Sequence, residues 1–192
     1  NVEVIEDGLG LQVAGIALDP VGGQVFVAIA LVGTSGRIDV MTLDGADRHV
    51  LVPNLDEPRD LAVDSAAGKL YWADADNLVL RRCNLDGTGV QPLLTLTAAI
   101  GGIALDSASG HVYWTHPTLG RIRRARLDGT QPESVVLAAG TPLGIALDLV
   151  NRHIYWTDHL ADQIKRSTFG GSSPEVFVSS DLDTPQLLAN YP

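Results

Sequence analysis

Short apolar runs alternate with clusters of Gly, Pro, Asp and Ser along the chain, and no segment sustains a helical period. One stretch shows the pattern plainly: IGGIALD (100–106), HVYWTH (111–116), RIRRARL (121–127) and ESVVLA (133–138), separated by SASG, PTLG and DGTQP. β-Branched and aromatic residues held between such turn signals predict four short strands.

The same four-strand pattern returns along the chain. GIALD stands at 15–19, 102–106 and 144–148, and LAVD at 61–64 fills the remaining place. Ala17, Ala62, Ala104 and Ala146 within these strings are spaced by 45, 42 and 42 residues. Tyr-Trp pairs at 71–72, 113–114 and 155–156, and Leu-Asp-Gly at 43–45, 85–87 and 127–129, keep the 42-residue step. The next Leu-Asp-Gly place holds Phe169-Gly170-Gly171. Four strands per repeat of about this length predict an all-β fold, a β-propeller of four-stranded antiparallel blades.

HIYWTDHLADQIKRS (153–167), HVYWTHPTLGRIRRARLDGT (111–130) and KLYWADADNLVLRRCNLDGT (69–88) resemble YWTD repeats, the class B repeats of the low-density lipoprotein receptor family. The likeness covers nearly the whole chain and is most specific in the second to fourth units. The first departs from it, with Phe26-Val27-Ala28-Ile29 in the YWTD place. The resemblance implies a propeller, usually of six blades, that serves as a binding platform more than an enzyme. It also implies an extracellular setting, with a periplasmic one as the alternative.

Six blades would need roughly 250 residues at this period. The chain offers four full repeats at about 10–52, 55–96, 98–138 and 140–180. A lone outer strand, VEVIE (2–6), precedes them and a lone inner strand, PQLLANY (185–191), follows. The 192 residues thus read as one propeller domain, either closed with few blades, partial, or completed by a second chain. A half-blade at each end is a natural joining surface, so a homo-oligomer through open terminal strands is expected.

Composition narrows the partners. A net charge of -10 repels phosphate backbones, so nucleic acid is not expected. No apolar run reaches spanning length, so membrane insertion is not expected either. One cysteine, Cys83, leaves no internal disulfide framework. It aligns with Met41, Ala125 and Ser167 and reads as a packed thiol.

Recurrence in every unit marks a residue as serving the blade. Asp19, Asp64, Asp106 and Asp148 end first strands; a ring of carboxylates could hold a cation, but each also opens a turn, which is the stronger reading. Tyr71/Trp72, Tyr113/Trp114 and Tyr155/Trp156 are expected to pack between blades, with sugar stacking as the lesser reading. Asp74 and Asp158 fill the fourth YWTD place, His116 replaces Asp there, and Arg82, Arg124 and Arg166 recur on third strands. An Asp-to-Arg or Asp-to-backbone tie would explain that recurrence, and His116 is either a tolerated swap or a pH-sensitive contact. His49, His111, His153 and His159 form no metal-ligand spacing, and no HExxH, GxSxG or phosphate loop is present.

The loops that break the repeat carry the candidate site. Connections from fourth to first strands, and from second to third, lie on one face of a propeller. They gather Asp56, Glu57, Arg59, Asp60, Asp76, Asn77, His116, Thr141, Asp158 and His159 on one acidic rim. The leading expectation is a non-catalytic binding or scaffold module, without cofactor or metal, that presents this face to a protein, peptide or glycan. Two alternatives stand: a metal-dependent lactonase or hydrolase, for which inward first-strand ligands beyond the terminal aspartates and Asn190 are few, and a self-assembling propeller fragment.

Overall fold

Turn chemistry fixes where each first strand ends. Asp19 accepts the N–H groups of Val21 and Gly22 at 3.2 and 3.0 Å. Asp64 takes that of Ala67 at 3.1 Å, Asp106 that of Ser109 at 3.0 Å, and Asp148 that of Asn151 at 2.9 Å. The carboxylate supplies the acceptor that the reversing backbone lacks, so the chain folds back at each of these aspartates. The Leu-Asp-Gly turns work alike: Asp86 and Asp128 accept the N–H groups of Thr88 and Thr130, each at 2.9 Å.

The structure is a computed structural model that describes residues 11–31, 35–172 and 174–179. The predicted terminal strands at 2–6 and 185–191, with Asn190, lie outside the described residues. Among the described residues four antiparallel sheets form, each with its strands in chain order, β1 to β16. The first is β1 (Leu11–Asp19), β2 (Gln24–Leu31), β3 (Gly36–Thr42) and β4 (His49–Leu55); the second is β5 (Pro58–Asp64), β6 (Lys69–Asp74), β7 (Val79–Asn84) and β8 (Gln91–Thr95). The third is β9 (Ile103–Asp106), β10 (His111–His116), β11 (Arg121–Arg126) and β12 (Glu133–Val136); the fourth is β13 (Pro142–Asp148), β14 (His153–Asp158), β15 (Gln163–Thr168) and β16 (Glu175–Val178). The helical residues among those described are one short 3-10 turn, Pro117–Leu119. β9 starts later than the sequence pattern implies, although Gly101 and Gly102 still bond the Thr115 backbone and Gly102 N–H also donates to the Thr115 hydroxyl at 2.8 Å.

The chain divides into two compact units, one up to Pro92 and one from Leu93. In the first, Phe26, Ala28, Ile38 and Val40 of the first sheet pack against Leu61, Leu70, Trp72 and Cys83 of the second. In the second, Ala104, Tyr113, Ile122 and Val136 of the third sheet pack against Ile145, Leu147, Ile154 and Trp156 of the fourth. Adjacent strand residues point to opposite faces. The face bearing the tyrosine position (Phe26, Tyr113) therefore meets the next sheet's face bearing the tryptophan position (Trp72, Trp156). Cys83 lies inside the first core, and burial pushes its thiol up to about 11, so it packs as a small apolar group.

A glycine makes each of these seams close. Gly171 has φ +73°, and a Cβ there would run into the Val135 carbonyl of the neighbouring sheet. Gly87, at φ +79°, stands the same way over the Leu51 carbonyl. Gly45 holds the same turn position at φ +83°, but a Cβ there would meet no described residue within 4 Å. Gly45→Ala and Gly171→Ala both bear the left-handed backbone cost of about 1 kcal/mol. Gly171→Ala is expected to lose roughly 1–3 kcal/mol more, from overpacking against a backbone that cannot yield. Urea unfolding of the two variants checks this; equal losses would mean the seam gives way freely.

Candidate functional site

Alternation places Trp and Asp of the YWTD motif on one face of the second strand, with Tyr and Thr on the other. The tryptophan is fully buried in all three motif-bearing sheets, and Trp156 donates its indole N–H to the Ala139 carbonyl at 2.8 Å. The threonine braces the inner strand: Thr157 Oγ1 accepts from Gly144 N–H at 2.9 Å, and Thr115 Oγ1 donates to the Leu143 carbonyl at 2.6 Å. Tyr113 and Tyr71 are buried, while Tyr155 of the fourth sheet is half-buried.

The aspartate fastens two loops to a cation. Asp158 accepts Thr141 N–H at 2.9 Å and meets Lys165 Nζ at 2.6 Å, while His159 N–H reaches the Thr141 carbonyl at 3.0 Å. Burial alone would raise the Asp158 carboxyl, but Lys165 and the Thr141 N–H outweigh it and hold it below the usual carboxylate range. In the first unit Asp74 meets Arg81 Nε at 2.9 Å and Asn77 Nδ2 at 3.1 Å, and Ala75 N–H donates to the Glu57 carbonyl at 3.0 Å.

The cation is not the arginine that the repeat points to. Asp74 pairs with Val79 across the strands, so residues 79 and 81 share its face while Arg82 points to the other. Arg82 hydrogen-bonds the Tyr71 hydroxyl instead. Arg124 reaches the Tyr113 hydroxyl at 3.2 Å and Glu133 at 2.7 Å, and Arg166 reaches Glu175 at 2.5 Å. The partners of the motif aspartates are Arg81 and Lys165, one residue earlier, where a cation also recurs at the 42-residue step through Arg123.

Two sheets depart from the pair. His116 fills the aspartate place in the third sheet, fully buried, with Nδ1 3.2 Å from the Ala99 carbonyl. The Arg123 guanidinium lies 5.6 Å over the Trp114 ring. Burial pushes His116 below its ordinary value, and Arg123 and Arg121 push the same way against the Ala99 carbonyl. In the first sheet Ile29 stands in the aspartate place and the acid moves across to Asp39, held by Arg37 at 2.8 Å and Arg48 at 2.9 Å.

The candidate rim residues sort by unit. In the first, Asn77 Nδ2 donates to Asp56 as well as to Asp74, tying the Asp56-Glu57 turn to the 75–78 loop, while Arg59 and Asp60, read from the sequence as loop residues, lie in β5. Arg59 turns back onto Glu57 at 2.8 Å, Asp60 accepts Leu61 N–H at 3.0 Å, and Asp76 is exposed. In the second, Thr141, Asp158 and His159 come together, whereas His116 serves the third sheet under Ala99. His116 and Asp158 are buried, so the sequence-based placement of these two on a displayed face is corrected: packing and the loop ties claim them. Ser65, which donates to Asp19 at 2.6 Å, is a further tie that the polar pattern left unmarked. Among the described residues no three His, Cys, Asp or Glu side chains come close enough to hold a metal ion.

Sheets of this build define the class: a β-propeller, carrying YWTD-type repeats. No protein-family model matches the chain. It is 35% identical over 87 residues to low-density lipoprotein receptor-related protein 4 of Homo sapiens, a match covering 45% of this chain and 4% of that protein. It is 43% identical over 54 residues to low-density lipoprotein receptor-related protein 5 of Mus musculus, covering 28% and 3%. A protein of Pyricularia oryzae, low-density lipoprotein receptor-related protein 1, is 28% identical over 100 residues, 48% of this chain and 32% of its own length. The chain thus spans a third or less of these curated relatives. A solved structure titled as a nidogen/laminin complex superposes over 95% of this chain and 70% of its own with a TM-score of 0.86 at 20% identity.

Two outcomes follow from the motif aspartate. Asp158→Ala removes the acceptor of Thr141 N–H and the partner of a mostly buried Lys165, and is expected to cost about 2–4 kcal/mol. Chemical denaturation measures it. For His116, the folded value lies below the unfolded one, so the unfolded chain binds the proton first as pH falls. Stability attributable to this group is intact above the ordinary histidine value of 6.5 and declines as pH drops through it toward the lowered folded value. His116→Asp places a carboxylate across from Arg121 and diagonal to Arg123, and is expected to remove that decline, read as the melting temperature against pH for both proteins.

Proposed function

We propose that the chain is a non-catalytic protein-binding module, and that the acidic turn at Asp56-Glu57 and the loop 75–78 receive a basic segment of a partner protein or peptide. The observation that carries this reading is the Asp56–Asn77–Asp74–Arg81 chain of contacts. It pre-sets two loops at one rim of the first unit while Asp56 and Asp76 stay exposed. Loops held this way lose little freedom on binding, which favours recognition. The overall charge of -10 draws a cationic partner and speeds encounter. Relatives named as low-density lipoprotein receptor-related proteins and a neighbour solved in a nidogen/laminin complex support a protein-binding role and an extracellular setting. No helix among the described residues is long and apolar enough to cross a membrane. Among the described residues no cluster of ligands supports the hydrolase reading, and self-assembly is argued separately below.

The test is calorimetric titration with a Lys/Arg-rich peptide at low and high salt. Binding that weakens with salt, and weakens several-fold further in Asp56→Asn/Asp76→Asn, is the expected result. Unchanged affinity in the double variant, or no binding at low salt, overturns the acidic-loop assignment.

A further inference from the structure

Two seams between sheets, one in each unit, have the same three parts. The first residue of the Leu-Asp-Gly turn packs inward, the third lets a carbonyl of the neighbouring sheet come close, and the neighbour's tyrosine-position face closes over them. In the second unit the turn residue is Phe169, 5% exposed, with its ring 5.4 Å from that of Tyr113. Gly171 lies against the Val135 carbonyl. In the first unit Leu85 joins the core that Phe26 and Trp72 share, and Gly87 lies against the Leu51 carbonyl.

The first sheet carries the turn half of a further such seam, and among the described residues its outer margin is uncovered. Leu43, 42 residues before Leu85, is 53% exposed, and a Cβ at Gly45 would meet no described residue within 4 Å. On the same face β1 exposes Ile16 (57%) and Leu18 (55%), which pair with Val27 and Val25 of β2. Val27 and Ile29, in the Trp and Asp places, are themselves 5% and 0% exposed, so the open part of this face is its outer margin, Ile16, Leu18 and Leu43. The fourth sheet carries the other half. Tyr155 is half-buried, and Phe177, 42 residues after Val135, is 52% exposed with its ring 5.2 Å edge-on to Tyr155 and Arg166 5.1 Å over it. Apolar side chains gathered on one face in this way mark an interaction surface.

We propose that these two faces meet between copies of the chain: the tyrosine-position face of the fourth sheet in one molecule seats on the tryptophan-position face of the first sheet in a second. The occupant is argued from continuity with the seam that the chain already makes inside each unit. What covers a tryptophan-position face there is a tyrosine-position face, and a second copy brings one that is unused. The contact is face to face, which separates it from pairing of open strand edges. It is heterologous, because different surfaces of the two copies touch, so one copy keeps a free first sheet and the other a free fourth sheet. It is independent of the acidic-loop reading, since the residues differ.

Light scattering on the chromatographed full chain tests it with variants blocking each half separately. Ile16→Asp/Leu18→Asp and Leu43→Asp block the first-sheet face, and Phe177→Asp blocks the fourth-sheet face; these side chains are exposed, and tryptophan fluorescence verifies that folding survives. The mass of the unaltered chain is expected to rise at least twofold with concentration, and each variant alone to stay monomeric. An equimolar mixture of a first-sheet variant with Phe177→Asp retains one live face on each molecule, so it is expected to stop at about twice the monomer mass. An unaltered chain that stays monomeric across the concentration range, or a mixture in which no dimer forms, overturns the proposal. So does growth that persists in either single-face variant, which would place the contact at strand edges or elsewhere.

Discussion

The packing of one sheet's tyrosine-position face on the next sheet's tryptophan-position face is the constraint from which the rest of the structure follows. A four-stranded sheet with apolar residues on both faces cannot stand alone in water, because each face needs a cover. Strand alternation divides the labour. Positions one and three of the motif look one way and positions two and four the other. Close approach then depends on a turn without a side chain, which is why a glycine at positive φ sits where Val135 and Leu51 present their carbonyls.

The fourth motif residue does different work in different sheets. Asp158 and Asp74 are buried carboxylates neutralised by Lys165 and Arg81, and through backbone or Asn77 contacts they also hold the loops that rim their sheets. A buried ion pair is weak evidence for stability in itself, but removing one partner leaves an expensive remainder. The third sheet shows what happens when the acid is absent: His116 is kept uncharged by burial, and the cation Arg123 leans on an aromatic face. The first sheet reaches a third solution by moving the acid to the facing strand as Asp39.

Much of this was legible in the residues. Periodicity alone locates the strands, because Tyr-Trp and Leu-Asp-Gly recur at fixed steps, and each first-strand aspartate announces the turn it caps. What escaped was anything that depends on register. Arg82, Arg124 and Arg166 look like the partners of the motif acid because arginine is invariant at that place among these three units. The pairing of Asp74 with Val79 turns that set to the opposite face, and only the cross-strand register shows it. Burial escaped for a similar reason: His116 and Asp158 sit at a strand's end, where sequence reads as loop, yet neighbouring backbone covers them.

The seam also decides how the molecule comes apart. Stability drawn from contacts between adjacent sheets is a nearest-neighbour sum, as in linear repeat arrays, with each sheet marginal alone and secured by the sheets beside it. The first sheet, with Ile16, Leu18 and Leu43 exposed, draws on one such contact within its unit and leaves the margin of its other face open. Opening therefore starts at such a boundary and works inward, so amide protection is graded along the chain: low in β1, whose Ile16 and Leu18 are exposed, higher in β6, whose Trp72 is enclosed.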